Sequence, residues 1–262
     1  WVKWVGDEAE TRLAEFFPNP SGETAQNYLW AHTVVCPCCE SIVPLSPNWW
    51  LSKTSNYAGK GQTRKVTSDW YAVKPIPNPQ QKQVDFELVK GAKGSGATIE
   101  VSNKEQVISN KEEKNLLLIP SYLLLKQEYD PDTTVTIARG VGKCPNCSSV
   151  IEDDVIKAQA QAGKFGHQLY AVAYKRGKGS LEFRIPTDAD LAGVAKAEEA
   201  IKDGWENLIP DVEVYSGLKT DELLRYGIDR WSKLFNPRQL LTLVTYVDII
   251  QQAKAKIRAE LG

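Results

Sequence analysis

The sequence predicts an α+β protein in which a β-rich module is split by an insertion and flanked by helices. Three observations predict it. Two short cysteine hooks, "CPCC" and "CPNC", stand far apart in the chain. Alternating or β-branched stretches such as "QVDFELV", "ATIEV" and "TVTIA" lie near or between them. Apolar residues at helical spacing dominate both ends.

Taken in order, "GDEAETRLAEFF" carries a helical pattern, and its acidic residues are expected in the first turn, where the helix dipole favours them. "PNPSGE" ends it. The lysine-rich stretch 104–114 is expected as a solvated loop or short exposed helix. After the second hook, "DDVIKAQAQAGKFG" predicts a helix ending near a glycine cap. "HQLYAVAYKRGKGSLEFRIP" predicts a β-hairpin turning across "RGKGS". Thr187, with Asp190 three residues on, predicts a capping box. In the last helix Asn236 caps, Pro237 fits the first turn and Gln239 completes a similar box. Leu240, Val244, Val247, Ile250 and Ile257 then form an apolar stripe that needs a partner surface. These signals divide the chain into a helical lead-in (1–30), a hook-bearing β-rich domain (31–186) and a helical C-terminal segment (187–262).

The chain has 262 residues with 42% hydrophobic and 25% charged residues, the balance of an ordinary folded protein. Its net charge of −1 provides no global field toward nucleic acid or membrane, so such contacts need local clusters. No apolar run reaches the length of a membrane span, and "WVKWVGDEAE" lacks the pattern of a secretory leader. A cytoplasmic protein is expected. The sequence has no methionine and opens on Trp1, which is read as the mark of a fragment.

Cys36, Cys38, Cys39, Cys144 and Cys147 are all the cysteines present. An odd number without a secretory signal argues against a disulfide framework. Two residues between cysteines let a tight turn bring both sulfurs to one zinc ion at ~2.3 Å. Cys36 with Cys39, and Cys144 with Cys147, meet that spacing; Cys38 is the spare thiol. Closing the long loop between the hooks costs about 4 kcal/mol. A structural zinc site contributes on the order of 10–16 kcal/mol, so the separation does not defeat it. The reading is a split β-rich zinc ribbon with an insertion between its two CxxC halves, and a closed, structural ion. Two unrelated cysteine pairs, redox-active or merely buried, are the alternative. His32 and His167 are read as ordinary half-buried residues.

Catalytic signals are missing. "GSGAT" resembles a nucleotide-binding loop, but "TIEVSNKEQ" after it looks extended, and a glycine-rich turn fits better. The sequence has no P-loop, zincin or nucleophile-elbow motif. Basic residues do cluster. Lys53, Lys60, Arg64 and Lys65 follow the first hook, and Lys175, Arg176 and Lys178 crowd the hairpin tip. Between residues 141 and 185 the local charge is +3. Lysine and arginine there are candidate phosphate contacts. Trp49 and Trp50 could stack on bases, but they are better read as a roof over the thin core of a zinc site.

The order of these segments resembles the middle region of a prokaryotic family of adenine-specific DNA methylases with an embedded zinc ribbon. The resemblance rests on "WVKWVGDEA", "YLWAHTVVCPCCESIVPLSPNWWLSK", "YAVKPIPNP", "CPNCSSVI", "RIPTDADLAG" and above all "RYGIDRWSKLFNPRQLLTLVTYVDII". It implies a parent that transfers a methyl group from S-adenosylmethionine to adenine N6 in DNA. The cofactor loop and DPPY-type motif of that family have no match here, so no catalytic residue carries over. Only the ligand cysteines Cys36, Cys39, Cys144 and Cys147 do; Cys38 departs from the usual filler. The expected role is to help a base-flipping enzyme grip DNA or choose its target. The alternative is a brace within the methylase, or a protein-interaction module of a restriction or defence complex, with no DNA contact.

Overall fold

The computed structural model describes residues 1–20, 22–53, 70–91, 129–202 and 208–261. Three antiparallel sheets and a helical layer make up these parts. The first sheet is built on β1 (Thr24–Val35), the long strand that carries the chain into the first hook. β1 pairs with β2 (Ile42–Leu45) on one side and β9 (Gly166–Lys175) on the other, and β10 (Glu182–Arg184) closes the order β10-β9-β1-β2. Thr24 lies opposite Lys175 and Thr33 opposite Gly166. The β9–β10 hairpin turns where the sequence predicts, with Gly177 at φ +58 in its tip.

The second sheet, β3-β4-β5, takes β3 (Trp50–Ser52), β4 (Trp70–Asn78) and β5 (Gln83–Gly91). Trp49 is fully buried between the first two sheets, packed with Val73 and Ala171 and edge-on to Tyr170. Its indole donates to the Thr134 carbonyl at 2.9 Å. It therefore does not roof the cysteines, as the sequence suggested. Its neighbour in sequence faces the other way, and Trp50 meets Trp70 in a separate cluster with Ala72, Val89 and Tyr129. Tyr129 donates to the Val73 carbonyl at 2.7 Å, and Gly91 at the end of β5 pairs with Trp70 at the start of β4.

The third sheet is small: β6 (Ile137–Ala138), β7 (Val141–Lys143) and β8 (Val150–Ile151). "TVTIA" contributes only its last two residues as strand. Thr136 instead spends its hydroxyl and amide on β2, meeting Pro44 and Ser46. Helix α2 (Asp153–Gln161) follows and stops as predicted, with Gly163 at φ +68.

The helical layer joins both ends of the chain. Helix α1 (Val2–Leu13) and α3 (Asp188–Ala200) pack against the long C-terminal helix α5 (Pro237–Leu261) through Ala9, Leu13, Phe16, Ala197, Leu241 and Ile249. Between α3 and α5 lies the short helix α4 (Asp221–Arg225). Arg12 of α1 donates to Asp248 at 2.7 Å and Gln252 at 3.1 Å of α5. Because α1 begins at Val2, its acidic residues fall in mid-helix rather than in the first turn, and Glu8 pairs with Arg12 instead. Both predicted capping boxes form, Thr187 with Asp190 and Asn236 with Gln239.

The apolar stripe of α5 does not coincide with its buried face. Of its members Val244 is buried, whereas Val247 and Ile250 are more than half exposed. The buried face runs through Arg238, Leu241, Thr245, Ile249 and Ala253. Hydropathy misplaces it because two polar residues sit inside: Thr245 returns its hydroxyl to the Leu241 carbonyl, and Arg238 is caged by aromatic rings.

Candidate metal centre

Each cysteine hook is the turn of a β-hairpin. Val35 faces Ile42 across the first, and Lys143 faces Val150 across the second. The turns match bond for bond. In the first, the Cys36 amide donates to the Ser41 carbonyl at 2.8 Å and Glu40 donates back to Cys36 at 2.9 Å. In the second, Cys144 donates to Ser149 at 2.9 Å and Ser148 to Cys144 at 2.8 Å. Glu40 and Ser148 both adopt left-handed backbone, φ 59 and φ 61. The repeat is thus longer than two cysteines: it reads C-P-x-C-x-S and continues into a β-branched pair, so the shared serine is itself a sequence signal of the site.

The four sulfurs converge. Cys36 Sγ lies 3.6 Å from Cys147 Sγ, and Cys39 Sγ lies 3.6 Å from Cys144 Sγ. All four fall within 4.8 Å of one another, a group that could hold a metal ion. A tetrahedron of metal–sulfur bonds ~2.3 Å long has edges of about 3.8 Å, so two edges already have the right length. Cys38 is outside this group and exposed, as expected for the spare thiol.

The two positions of each hook differ in environment. Burial pushes the thiols of Cys36 and Cys144 up, the latter to about 12. Cys39 and Cys147 are pulled down, Cys147 to about 6, by the hydroxyls of Ser41 and Ser149 two residues on. Metal ligation needs thiolates, so each hook supplies one sulfur that ionises readily and one that a cation must draw out.

Three elements fix the site from outside. On α2, Gln159 mimics a strand against Val35, accepting from its amide at 2.8 Å and donating to its carbonyl at 2.7 Å. The β4–β5 hairpin presents Lys82, whose carbonyl accepts from Ile42 and whose ammonium pairs with Glu40 at 2.5 Å. Val34, Val43, Ile151 and Ile156 seal the apolar side.

The basic candidates lie elsewhere. Lys175 pairs with the first residue of β1, while Cys36 follows its last, so the hairpin tip and the sulfurs sit at opposite ends of a strand about 35 Å long. Arg176 is spoken for, pairing with Glu23 at 3.0 Å and Glu182 at 3.5 Å. Arg184 is held between Glu23 and the fully buried Asp190. Glu23 and Asp190 lie outside the window 141–185, and counting them lowers its +3 to +1. Lys178 is exposed at the tip. Lys53 lies 4.0 Å over the Trp50 ring and 3.6 Å from Asp132. Lys60, Arg64 and Lys65 lie outside the described residues, as do "GSGAT", "ATIEV" and the stretch 104–114.

Among the described residues no helix is long and apolar enough to cross a membrane. No protein-family model, curated protein or solved structure matches the chain.

Proposed function

We propose that the chain is the non-catalytic zinc-ribbon region of an adenine-specific DNA methylase, and that it helps the enzyme grip DNA. The observation that carries the metal part is the convergence of four sulfurs from two matching hairpins. With four thiolates and ~2.3 Å bonds, a zinc ion there has no open position for water or substrate. Its role is to fasten the two halves of the module. The DNA part rests on Lys175 and Lys178 at a projecting hairpin tip and on the family resemblance. S-adenosylmethionine and the reacting adenine belong to the rest of the parent enzyme.

The test is fluorescence anisotropy of a labelled DNA duplex titrated with zinc-loaded protein at two salt concentrations. Phosphate contacts make log K fall with log[salt] at about −0.9 per contact. Alanine at Lys175 and Lys178 should reduce that slope by roughly two. Salt-independent binding, or none from folded protein at low salt, would sink the DNA reading.

A brace or partner-docking role is favoured by one feature. The exposed residues Leu243 and Val247 of α5 line an apolar groove with Leu208, Val212, Trp231 and Phe235. An exposed apolar surface of this kind often marks an interaction site.

A further inference from the structure

The cleft between β1 and the start of α5 is built around Arg238. This side chain is 2% exposed, with its guanidinium 3.9 Å from the Tyr28 ring centre and 4.7 Å from that of Phe17. Nη1 donates to the Phe16 carbonyl at 3.3 Å, and Nη2 donates to nothing among the described residues. The Tyr28 hydroxyl is buried without a partner as well. Among the described residues no carboxylate is within ion-pair distance of Arg238, and Asp190 acts on it only at longer range; a buried cation so placed costs stability unless something offsets it. Arg238 is also the second residue of the 25-residue helix α5, where the helix dipole is already positive. The helix dipole therefore adds to the potential of the guanidinium, and because Asn236 already caps the Gln239 amide, an anion would be held by Arg238 itself.

The rest of the cleft limits what carries that anion. Its volume is about 400 Å³, within the range of small-ligand sites. Trp30 and the partly exposed Phe235 give it flat apolar walls. Gln26 and Asn27 stand exposed at its rim, and side-chain amides pair well with the donor–acceptor edge of a base. We propose that this cleft binds a nucleoside monophosphate, free or as an unpaired residue of a strand, with its phosphate on Arg238 and its base between Trp30 and Phe235. The site does not depend on whether the β9–β10 tip grips duplex DNA.

Calorimetric titration of the full chain with dAMP, deoxyadenosine and the single strand dA6 tests this. dAMP should bind saturably with Kd below about 1 mM, and deoxyadenosine at least tenfold more weakly. Thr242, half-buried in the cleft wall, offers a variant that leaves Arg238 in place. Thr242→Trp should weaken dAMP at least tenfold with an unchanged melting profile, and Arg238→Lys should weaken it too, since lysine lacks the planar fork. Equal affinity for dAMP and dA6 would identify a free nucleotide, and dA6 binding tenfold tighter would identify a strand. The proposal fails if folded protein takes up neither dAMP nor dA6 at about 5 mM, or if Thr242→Trp binds dAMP as the parent does. Alanine at Lys175 and Lys178 should alter duplex binding alone, which separates this site from the hairpin tip.

Discussion

Asn146 Nδ2 donates to Ser41 Oγ at 2.8 Å, joining the filler of the second cysteine hook to the serine of the first. The same amide donates to the Gln83 carbonyl at 3.1 Å. The Cys39 thiol donates to the same Ser41 Oγ at 3.2 Å, so Asn146 holds the oxygen that this ligand meets. The equivalent filler in the first hook is Cys38, which is exposed and makes no such bridge among the described residues.

Outer partners that orient ligands typically govern metal affinity by 10–100-fold. Asn146→Ala should therefore raise the zinc dissociation constant by about that factor, read by competition with a chromophoric chelator. Unchanged affinity would remove Asn146 from the site.

Thiol counting checks the ligand set. Zinc-loaded protein should show one thiol reactive toward a disulfide reagent, and Cys38→Ser should show none. Chelation should expose the rest and lower the melting temperature, because an ion that binds only the folded state stabilises it by about 2.7 kcal/mol at a hundredfold excess over Kd. Cys144→Ala should melt like the chelated protein, and Cys38→Ser like the loaded one.

Stability should fall on acidification through a histidine pair. His32 and His167 face each other across β1 and β9 with ring centres 4.8 Å apart. Burial lowers both pKa values, that of His167 to about 4, with the charge of His32 adding to the shift. The unfolded chain then binds more protons between about 6.5 and 4, so folding free energy declines as pH drops through that window. Both residues are exposed rather than half-buried as the sequence suggested, which screens the effect and keeps it small. Denaturant midpoints at pH 7 and pH 5 should differ less in His167→Gln than in the parent; an equal difference would assign the pH dependence to other groups.

Two glycines in helices should answer to alanine with opposite signs. At Gly193 of α3, a Cβ would sit 2.7 Å from the Phe16 carbonyl oxygen and 2.9 Å from Pro18 Cδ. Forcing α3 outward there should cost about 1–3 kcal/mol, more than the gain in helix propensity. At Gly6 of α1 nothing lies within 4 Å, so Gly6→Ala should stabilise by up to about 1 kcal/mol. Thermal melts of the two variants decide it.

The features legible in the sequence are those set by local chemistry. Caps at Thr187 and Asn236, the stop at Gly163, the "RGKGS" turn and the cysteine pairing all follow from residues a few positions apart. What the sequence conceals depends on distant partners. Trp49 stands ten residues after Cys39, yet its pocket comes from Val73 and Ala171. Arg176 looks like a free cation until Glu23 folds beside it. The buried face of α5 is hidden because Arg238 and Thr245 read as surface residues while Val247 and Ile250 read as core. The second half of each hook was open to reading, since Ser41 and Ser149 hold the same place after their cysteines.

The start of β4 is gripped from two sides. Gly91, the last residue of β5, lies opposite Trp70 with no room for even a methyl group, since a Cβ there would lie 2.0 Å from the indole. Tyr129 packs in the same cluster and locks onto Val73. The fully buried indole of Trp70 thus works as a gauge of its neighbours, and any side chain larger than hydrogen at position 91 would have to push it out of its seat.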